Sequence, residues 1–455
     1  MQDKNLFRFT VKFAVLVSLL CANAFSQNEI LRSGPMLGYS EMTETVVWLQ
    51  TRIPAKAQIK YWKQGDTKSV KLSKFIQTNE ENDHIARFTI SNLEFGIRYE
   101  YEVYLNAQKL TFDYSLQFQT QPHWRWRTDP PDFKIALGSC VYINDSLFDR
   151  PGKPYGSGFE IFSTITRQKP DLMLWMGDNI YYREPDWLTE SAMRYRNAQN
   201  RELPELQQLY ASTHNYAIWD DHDFGPNDSD RSFRGKDWSF KIFKDYWANN
   251  SYGHNDTKGV FGRFEWGDIE FFMLDDRFHR SPNNTPISPE KVMFGEQQMS
   301  WLRDSLTSSK ATFKIIVGGN QLINPLSPYE SWAAFPVEQK KFFDFIRDFK
   351  IDGVVFLSGD RHYAELLKRD DLTAYPLYEF TSSSLTAGSS NPAKEETDSI
   401  YRVPNTLVTD VKNFGIIEVS GKPKDRKLTL KTIDLAGKEL WKHEISENLL
   451  RNLKK

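Results

Sequence analysis

The stretch 171–182 reads DLMLWMGDNIYY and places a carboxylate and a phenol three residues apart, at Asp178 and Tyr181. The apolar residues before Gly177 predict a short strand that is buried on both faces of a mainly parallel sheet. Asp178 then follows the carboxyl end of this strand, where ligands bind in open α/β sheets. Carboxylate and phenolate oxygens that face one ion suit a highly charged metal such as ferric iron. The alternative is that Asp178 caps a helix while the tyrosine packs in the core.

The same pattern recurs from residue 133 onward. Six apolar runs end at residue types that bind metals or phosphate, and the runs cover 133–137, 172–176, 216–219, 270–274, 313–317 and 354–358. The residues that follow them include Cys140, Asp178, Asp221, His222, Arg277, Asn320, Gln321, Asp360 and His362. Helical patterns at 294–308 and 336–349 lie between the later runs. We therefore expect an α/β sheet with a functional site along one edge.

The segment 31–121 is rich in strand-forming residues and contains no cluster of ionisable side chains. Its run LEFGIRYEYEV at 93–103 resembles the tyrosine-corner region of fibronectin type III-like modules. This pattern predicts an N-terminal β-sandwich over 27–121, with a structural or docking role. Pro122, Pro130 and Pro131 indicate a linker over 122–132. The catalytic domain is predicted to cover 133–455.

Composition limits the classes of partner. The chain has 455 residues with 40% hydrophobic residues, which is enough for two or three packed domains. Its net charge is −2, and this balance does not favour nucleic acid or an anionic membrane as a partner. We expect a monomer that acts on a small molecule.

The N-terminus predicts export. Lys4, Arg8 and Lys12 precede an apolar run at 13–25, which is the pattern of a Sec-type signal peptide that ends near residue 26. The run is short for a membrane anchor, and Leu20 before Cys21 fits a lipoprotein cleavage site poorly. Cleavage leaves a secreted or periplasmic protein without a membrane span. It also leaves Cys140 as the only cysteine, so no internal disulfide can form.

Four motifs taken together resemble the alkaline phosphatase D (PhoD-like) family of calcineurin-like metallophosphoesterases. These motifs are Gly-Ser-Cys140, Gly-Asp178-Asn-Ile-Tyr181, Trp-Asp-Asp221-His222 and Gly-Asp360-Arg-His362. The resemblance implies a four-layer sandwich of two mixed β-sheets flanked by helices, behind the N-terminal β-sandwich. It also implies metal-dependent hydrolysis of phosphate monoesters, diesters or both, by a hydroxide that two metal ions activate.

The resemblance also implies two sets of metal ligands. One set holds Fe(III) and consists of Cys140, Asp178, Tyr181 and His362. Asp178 bridges to a second ion, whose other ligands are Asp221, Asp360 and Asn320, with Gln321 as the alternative to Asn320. Because this second set offers only oxygen atoms, it favours Ca(II). Zinc and manganese are less favoured substitutes.

The remaining predicted site residues concern catalysis and substrate. His222, beside Asp221, is positioned to donate a hydrogen bond or proton to the leaving oxygen. Arg183, Arg277 and Arg361 are candidates for a forked grip on phosphate, although each is equally explained as an ion-pair partner. Tyr182, Trp187 and Trp332 are candidates for the wall of a substrate pocket, or for core packing. Two other functions remain open, a non-catalytic binding protein on the same fold and a metallohydrolase of another ester class.

Overall fold

The computed structural model describes residues 27–452, and the predicted signal peptide at 1–26 lies outside them. The first strands are β1 Leu31–Ser40, β2 Glu44–Thr51, β3 Lys56–Lys63, β4 Lys71–Leu72, β5 Ile76–Gln77, β6 Ile85–Ser91, β7 Arg98–Leu105, β8 Gln108–Lys109 and β9 Gln117–Gln119. They are followed by β10 Phe133–Gly138, β11 Leu172–Met176, β12 His214–Ile218, β13 Gly262–Trp266, β14 Ile269–Met273, β15 Phe313–Val317, β16 Val354–Ser358, β17 Glu365–Arg369, β18 Leu377–Thr381, β19 Asn413–Ser420, β20 Lys427–Asp434 and β21 Glu439–Ser446. The helices are α1 Gln27–Ile30, α2 Ile161–Arg167, α3 Glu190–Arg201, α4 Pro204–Ser212, α5 Asp221–Phe224, α6 Lys236–Tyr246, α7 Glu296–Ser308 and α8 Pro336–Asp348.

Two large mixed sheets carry the predicted strands. The first has the order β21-β20-β19-β10-β11-β12-β1-β2-β6, and the second has the order β13-β14-β15-β16-β18-β17. In the first sheet, β10, β11 and β12 are parallel neighbours. In the second, β14, β15, β16 and β18 are parallel, with antiparallel strands at both edges. The carboxyl ends of the central strands therefore lie along a common edge of each sheet.

The two sheets pack face to face around one large core. The rings of Tyr216 on β12 and Phe264 on β13 stack with their centroids 3.7 Å apart. Gly415 on β19 lies so close to Leu137 and Phe380 that a Cβ atom would meet both at less than 3 Å. On the outer faces, α4 packs on β1. Phe343 of α8 packs on Phe356 of β16, with their ring centroids 6.1 Å apart. This arrangement is the predicted four-layer sandwich.

The N-terminal strands form a β-sandwich that shares a sheet with the catalytic layers. Strand β1 is the neighbour of β12 and runs parallel to it, with Leu37 opposite His214. Strands β1, β2 and β6 face the smaller sheet of β3, β7 and their partners across a second, separate apolar core. The predicted tyrosine corner is present, because the hydroxyl of Tyr99 accepts a hydrogen bond from the Glu94 backbone N–H at 2.9 Å. One sheet of the sandwich is thus an extension of the first sheet.

No helix within residues 27–452 is both long enough and apolar enough to cross a membrane.

Candidate metal centre

The carboxyl ends of β10, β11 and β16 bring the first predicted set of ligands together. One donor atom each from Cys140, Asp178 and His362 lies within 4.8 Å of the others. The Sγ atom of Cys140 is 3.6 Å from Asp178 Oδ2, and the Tyr181 hydroxyl is 3.1 Å from the same oxygen. Tyr181 Oη is also 3.3 Å from Nε2 of His362. A thiol, a phenol, an imidazole and a carboxylate thus meet around one point.

The backbone at these strand ends has an uncommon conformation. Four non-glycine residues of the predicted site have positive φ angles, namely Cys140 at 63°, Asp178 at 53°, Asp360 at 65° and His362 at 59°. Such residues are rare, and they concentrate at functional sites because the surrounding structure must hold them. A hydrogen bond between two of the turns stabilises this conformation, because the backbone N–H of Val141 donates to Asp178 O at 2.7 Å. The sharp turns direct the side chains out of the sheet edge and toward one another.

Two further groups of potential ligands lie next to the first. They share Asp221, and one of them also contains Asp178. One donor atom each from Asp178, Asp221 and His222 lies within 4.8 Å of the others, and Asp221, Asp228 and Glu330 satisfy the same condition. Asp228 and Glu330 were not predicted. Asp228 lies in the loop after α5, where its backbone N–H donates to Asp221 Oδ2 at 2.8 Å. Since both residues lie in irregular loops beyond the strand ends, no strand pattern in the sequence marks them.

The site opens into a cleft of about 560 Å³. Its lining includes Tyr155, Tyr181, Asp221, His222, Asp228, Glu330, Asp360, Arg361 and His362. Cys140 and Asp178 are essentially inaccessible beneath it, whereas Asp360, His222 and His362 are half-buried and Asp228 is exposed. Cys140, Asp178 and Tyr181 of the first set and Asp221 of the second set are therefore buried, whereas His362 and Asp360 are partly exposed to the cleft.

Burial and crowding of acidic groups shift their pKa values strongly. Burial, followed by repulsion from Asp221 and Cys140, raises the pKa of Asp178 well above its usual range. Burial also raises the pKa of the Cys140 thiol to about 12 and that of Asp360 to about 6. The Tyr181 hydroxyl likewise has a raised pKa, because it is buried beside Asp178. A metal ion at this point would stabilise the ionised forms that burial and repulsion disfavour, so the donor set fits a metal ion.

His222 stands at the border of the two ligand groups. Its ring stacks on Tyr181 with a centroid separation of 4.1 Å, and its backbone N–H donates to Asp178 Oδ1 at 3.3 Å. Burial lowers the pKa of its imidazole, with further lowering from the neighbouring His362 and Arg277. The geometry is compatible with a hydrogen-bond donor to substrate and also with a metal ligand.

The side chains of Asn320 and Gln321 form hydrogen bonds with other protein groups. The Asn320 amide donates to Asp220 Oδ2 at 2.9 Å, while its oxygen accepts from Arg277 at 3.2 Å. Gln321 donates to Glu365 at 2.8 Å and to Thr381. Both side chains belong to buried networks between the sheets, so a ligand role for Asn320 would require it to give up these partners. That role stays a prediction, without support from the local geometry.

The three arginines have protein partners for their guanidinium groups. Arg183 donates to Asp149, Tyr181 O and Ile143 O, and Arg277 is bound by Asp220 and Glu330. Arg361 donates to Tyr363, Ser327 and Glu396. All three are buried. The structure therefore supports the ion-pair interpretation of each arginine, and contact with phosphate stays a prediction.

The three aromatic residues that were predicted to form a pocket wall differ in their surroundings. Trp332 is fully buried among Phe294 and Phe342, and Tyr182 is buried with its hydroxyl bonded to Asn197. Trp187 is half-buried at the edge of a neighbouring cleft.

Comparison with known proteins identifies related phosphatases. Residues 139–430 match the model of the PhoD-like phosphatase family, and residues 28–123 match a model described as a domain of unknown function (DUF7800). Alkaline phosphatase D of Bacillus subtilis (strain 168) is 23% identical over 326 residues, which are 60% of this chain and 54% of that protein. The chain thus spans about half the length of that curated relative.

Two solved structures share the fold. The structure of PhoD superposes with a TM-score of 0.72 at 16% identity, covering 93% of this chain and 94% of that one. A purple acid phosphatase from yellow lupin (Lupinus luteus) seeds gives a TM-score of 0.65 at 10% identity, covering 90% of this chain and 74% of that one. The family match extends over more than half of the sequence and contains every predicted ligand. The chain therefore belongs to the PhoD-like phosphatase family.

Proposed function

We propose that this protein is a metal-dependent phosphatase that hydrolyses phosphate esters at the cleft above β10, β11, β12 and β16. The observation that carries the proposal is the enclosed meeting of Cys140, Tyr181 and His362 around the Asp178 carboxylate. Burial disfavours the ionised forms of this thiol, phenol and carboxylate, and a cation bound among them would stabilise those forms. Membership of a phosphatase family agrees with this chemistry.

The two ligand sets differ in a way that favours different metals. Thiolate, phenolate and carboxylate from Cys140, Tyr181 and Asp178 neutralise a trivalent ion, so Fe(III) suits the first set, with His362 as its neutral ligand. The second set shares Asp178 and adds carboxylates from Asp221 and Asp360. Its oxygen donors suit Ca(II), with zinc and manganese as less favoured substitutes. Asp228 and Glu330 are additional candidates for this set because they lie beside Asp221.

The chain's own residues can then orient and protonate the substrate. When bound, the metal ions would lower the pKa of a water molecule and offset negative charge on the phosphate. Stacking on Tyr181 fixes the His222 ring at the border of the cleft, where it can donate a hydrogen bond or proton to the departing ester oxygen. Arg277 holds Asp220 and Glu330, and we assign it and Arg183 to positioning.

The wider assignments follow from the sequence. We propose a mature protein with the β-sandwich over 27–121, a linker over 122–132 and the catalytic part over 133–455, exported by the apolar segment at 13–25. Its small-molecule substrate and monomeric state belong to the same proposal.

A substrate panel with metal analysis tests the function. The purified mature protein should contain metal and should hydrolyse p-nitrophenyl phosphate, bis(p-nitrophenyl) phosphate or both, but not p-nitrophenyl sulfate. Asp178→Asn should lower both metal content and turnover, by about 10²-fold or more for turnover, because it weakens both sets of ligands. Asp237→Asn is the matched control, since Asp237 forms only an exposed ion pair with Lys258. A metal-free protein without phosphatase activity would favour the binding-protein alternative, and sulfatase activity would favour another ester class.

A further inference from the structure

A second cleft of about 610 Å³ adjoins the metal-site cleft. The two clefts share Tyr155, Tyr181, His222 and Asn227 as their common border. The shared residues include His222, which we assigned to the departing ester oxygen. A group attached to a phosphate in the metal-site cleft therefore has a direct route into the second cleft.

Aromatic rings form much of the wall of the second cleft. Tyr142 packs edge-on against Tyr155 with ring centroids 4.9 Å apart. The Arg183 guanidinium lies 4.0 Å from the centroid of the Tyr142 ring. Trp187 differs: it packs against the edge of the hydrophobic core, but within residues 27–452 no other aromatic ring stacks on it and its indole N–H has no hydrogen-bond partner. A half-buried tryptophan that lines a cleft without a ring partner is suited to stacking on a ligand.

The position of Trp187 is held from below. It lies in the single 3₁₀ turn Asp186–Leu188. Asp186 is fully buried and accepts from Arg196 Nε and from the Arg183 backbone N–H, both at 2.8 Å. The turn is thereby fixed to the main body of the protein. The backbone that carries Trp187 is therefore ordered before a ligand binds, which lowers the entropic cost of stacking on this residue.

The rim of the cleft is charged. Arg150 and Glu184 form an exposed ion pair at 3.0 Å, and Lys153 is also exposed. An aromatic ring gains more than an alkyl chain from contact with Trp187, because aromatic pairs contribute stabilisation beyond the area that they bury. Ring faces inside and charges outside therefore favour an aromatic group.

We propose that this second cleft binds the organic group of the substrate and selects phosphate esters that carry a planar aromatic group. The inference rests on the proposed phosphatase function and extends it to substrate class. In the hydrolysis, water adds its hydroxyl to phosphorus, the bond from phosphorus to the aryl oxygen breaks, and a proton passes to that oxygen. Trp187 contacts the aromatic group throughout and sets specificity.

The test compares Trp187→Ala with the wild type on three esters of the same class, with 2-naphthyl, octyl or glycerol as the organic group. They are monoesters or methyl diesters, according to which the wild type turns over. We expect kcat/KM to fall about tenfold for the naphthyl ester and less than about twofold for the other two, because stacking on an aromatic side chain contributes on that scale. Trp187→Phe should restore most of the loss. Trp126→Ala is the matched control, since Trp126 is 98% exposed in the segment 122–132.

Each outcome decides the proposal. An equal loss on all three esters, or none, would overturn it, and an equal loss on the naphthyl and octyl esters would replace the aromatic class by an apolar one. Unchanged metal content in Trp187→Ala excludes general damage to the site. If the wild type turns over no phosphate ester, the proposed function fails, and calorimetry with 2-naphthylphosphonate then tests the cleft separately. Binding that weakens in Trp187→Ala, with methylphosphonate as the reference, supports the cleft, and unchanged binding refutes it.

Discussion

At the scale of single residues, Asp178 connects the parts of the site. One carboxylate oxygen faces the Cys140 thiol and the Tyr181 hydroxyl, while the other accepts from the backbone of His222. Its carboxylate belongs both to the group of potential ligands with Cys140 and His362 and to the group with Asp221 and His222. A residue in this position can bridge two ions, which is the role that the family resemblance implies for it.

His222 has two possible roles, and mutation separates them. We expect His222→Ala to keep both metals and to lower turnover by about 10²-fold or more, because loss of a general acid has an effect of that size. The effect should be largest for esters with poor leaving groups, which most need a proton on the departing oxygen. Metal content and turnover measured on the same samples check this, with His254→Ala as an exposed control. Loss of metal from His222→Ala would instead make His222 a ligand.

At the scale of elements, the turn after β11 controls where Asp178 points. Gly177 has a φ angle of 86°, and a Cβ atom there would lie 2.6 Å from Asp220 Cβ and 2.9 Å from its backbone nitrogen. The turns after β11 and β12 are therefore packed directly against each other. A side chain at Gly177 must move one of them, and each carries a predicted metal ligand.

We expect Gly177→Ala to lower metal content and activity and to destabilise the protein by more than the conformational strain of about 1–2 kcal/mol. Gly65→Ala is a closely matched control, because Gly65 has a φ angle of 78° and nothing lies within 4 Å of the position that a methyl group would take there. Urea unfolding and metal analysis of the two variants give the comparison. Equal effects of the two substitutions would show that the contact with Asp220 is unimportant.

The start of β12 holds a second testable feature at this scale. His214 lies where β12 meets β1, and its Nδ1 donates to Gly38 O at 2.9 Å. Its Nε2 accepts from the backbone N–H of Gln119 at 3.4 Å, so protonation of this nitrogen would place two N–H groups against each other. Burial, as the main cause, lowers the pKa of His214 from 6.5 to about 4.

The unfolded chain therefore binds a proton at His214 between pH 6.5 and pH 4 that the folded chain does not bind. The contribution of His214 to the free energy of unfolding is therefore complete above pH 6.5, and it falls as the pH decreases from 6.5 to 4. We expect a loss of about 2 kcal/mol at pH 5 relative to pH 7.5. The difference between wild type and His214→Gln in the pH dependence of urea unfolding isolates this contribution. The same pH dependence in both proteins would contradict it.

The elements that sequence predicts best are the buried parallel strands. The predicted runs 172–176, 313–317 and 354–358 have the bounds of β11, β15 and β16. Each run is largely apolar and is followed directly by a glycine. The prediction for β12 began two residues late, since His214 and Asn215 are polar but buried. Their partners include residues on β1 and β9, far away in sequence, so no local pattern shows that they are inside.

The site was predictable where strand ends determine it. Cys140, Asp178 and Asp221 follow parallel neighbours of the first sheet, Asp360 follows β16 of the second, and the packing of the two sheets brings these strand ends to one cleft. Asp228 and Glu330 were missed because loops place them. The partners of Arg277 were equally hidden, since Asp220 and Glu330 are 57 and 53 residues away from it. Ion pairs across such separations depend on the whole packing.

At the scale of the whole molecule, the first sheet joins the sandwich to the catalytic part. β1 runs beside β12, and Gln121 donates to Ser40 O at 2.8 Å and to Glu265 O at 2.7 Å. These bonds tie the end of the predicted sandwich to both β1 and β13. Because β1 and β12 are neighbours in one sheet, the sandwich supports the strand that precedes Asp221.

The two metal sites should differ in how firmly they hold their ions, because the charge and the chemistry of their donor atoms differ. The set of Cys140, Asp178, Tyr181 and His362, with three anionic donors, should retain Fe(III), whereas the set that offers only oxygen donors should release Ca(II) readily. We expect EGTA to abolish phosphatase activity while a visible tyrosinate-to-iron absorption band remains, and added Ca²⁺ to restore activity. Tyr181→Phe should remove the band. Tyr182→Phe should keep it, because Tyr182 is an equally buried neighbour whose hydroxyl bonds to Asn197. A colourless, fully active enzyme that contains only zinc would refute the iron and calcium assignment, while its activity would leave the phosphatase proposal in place.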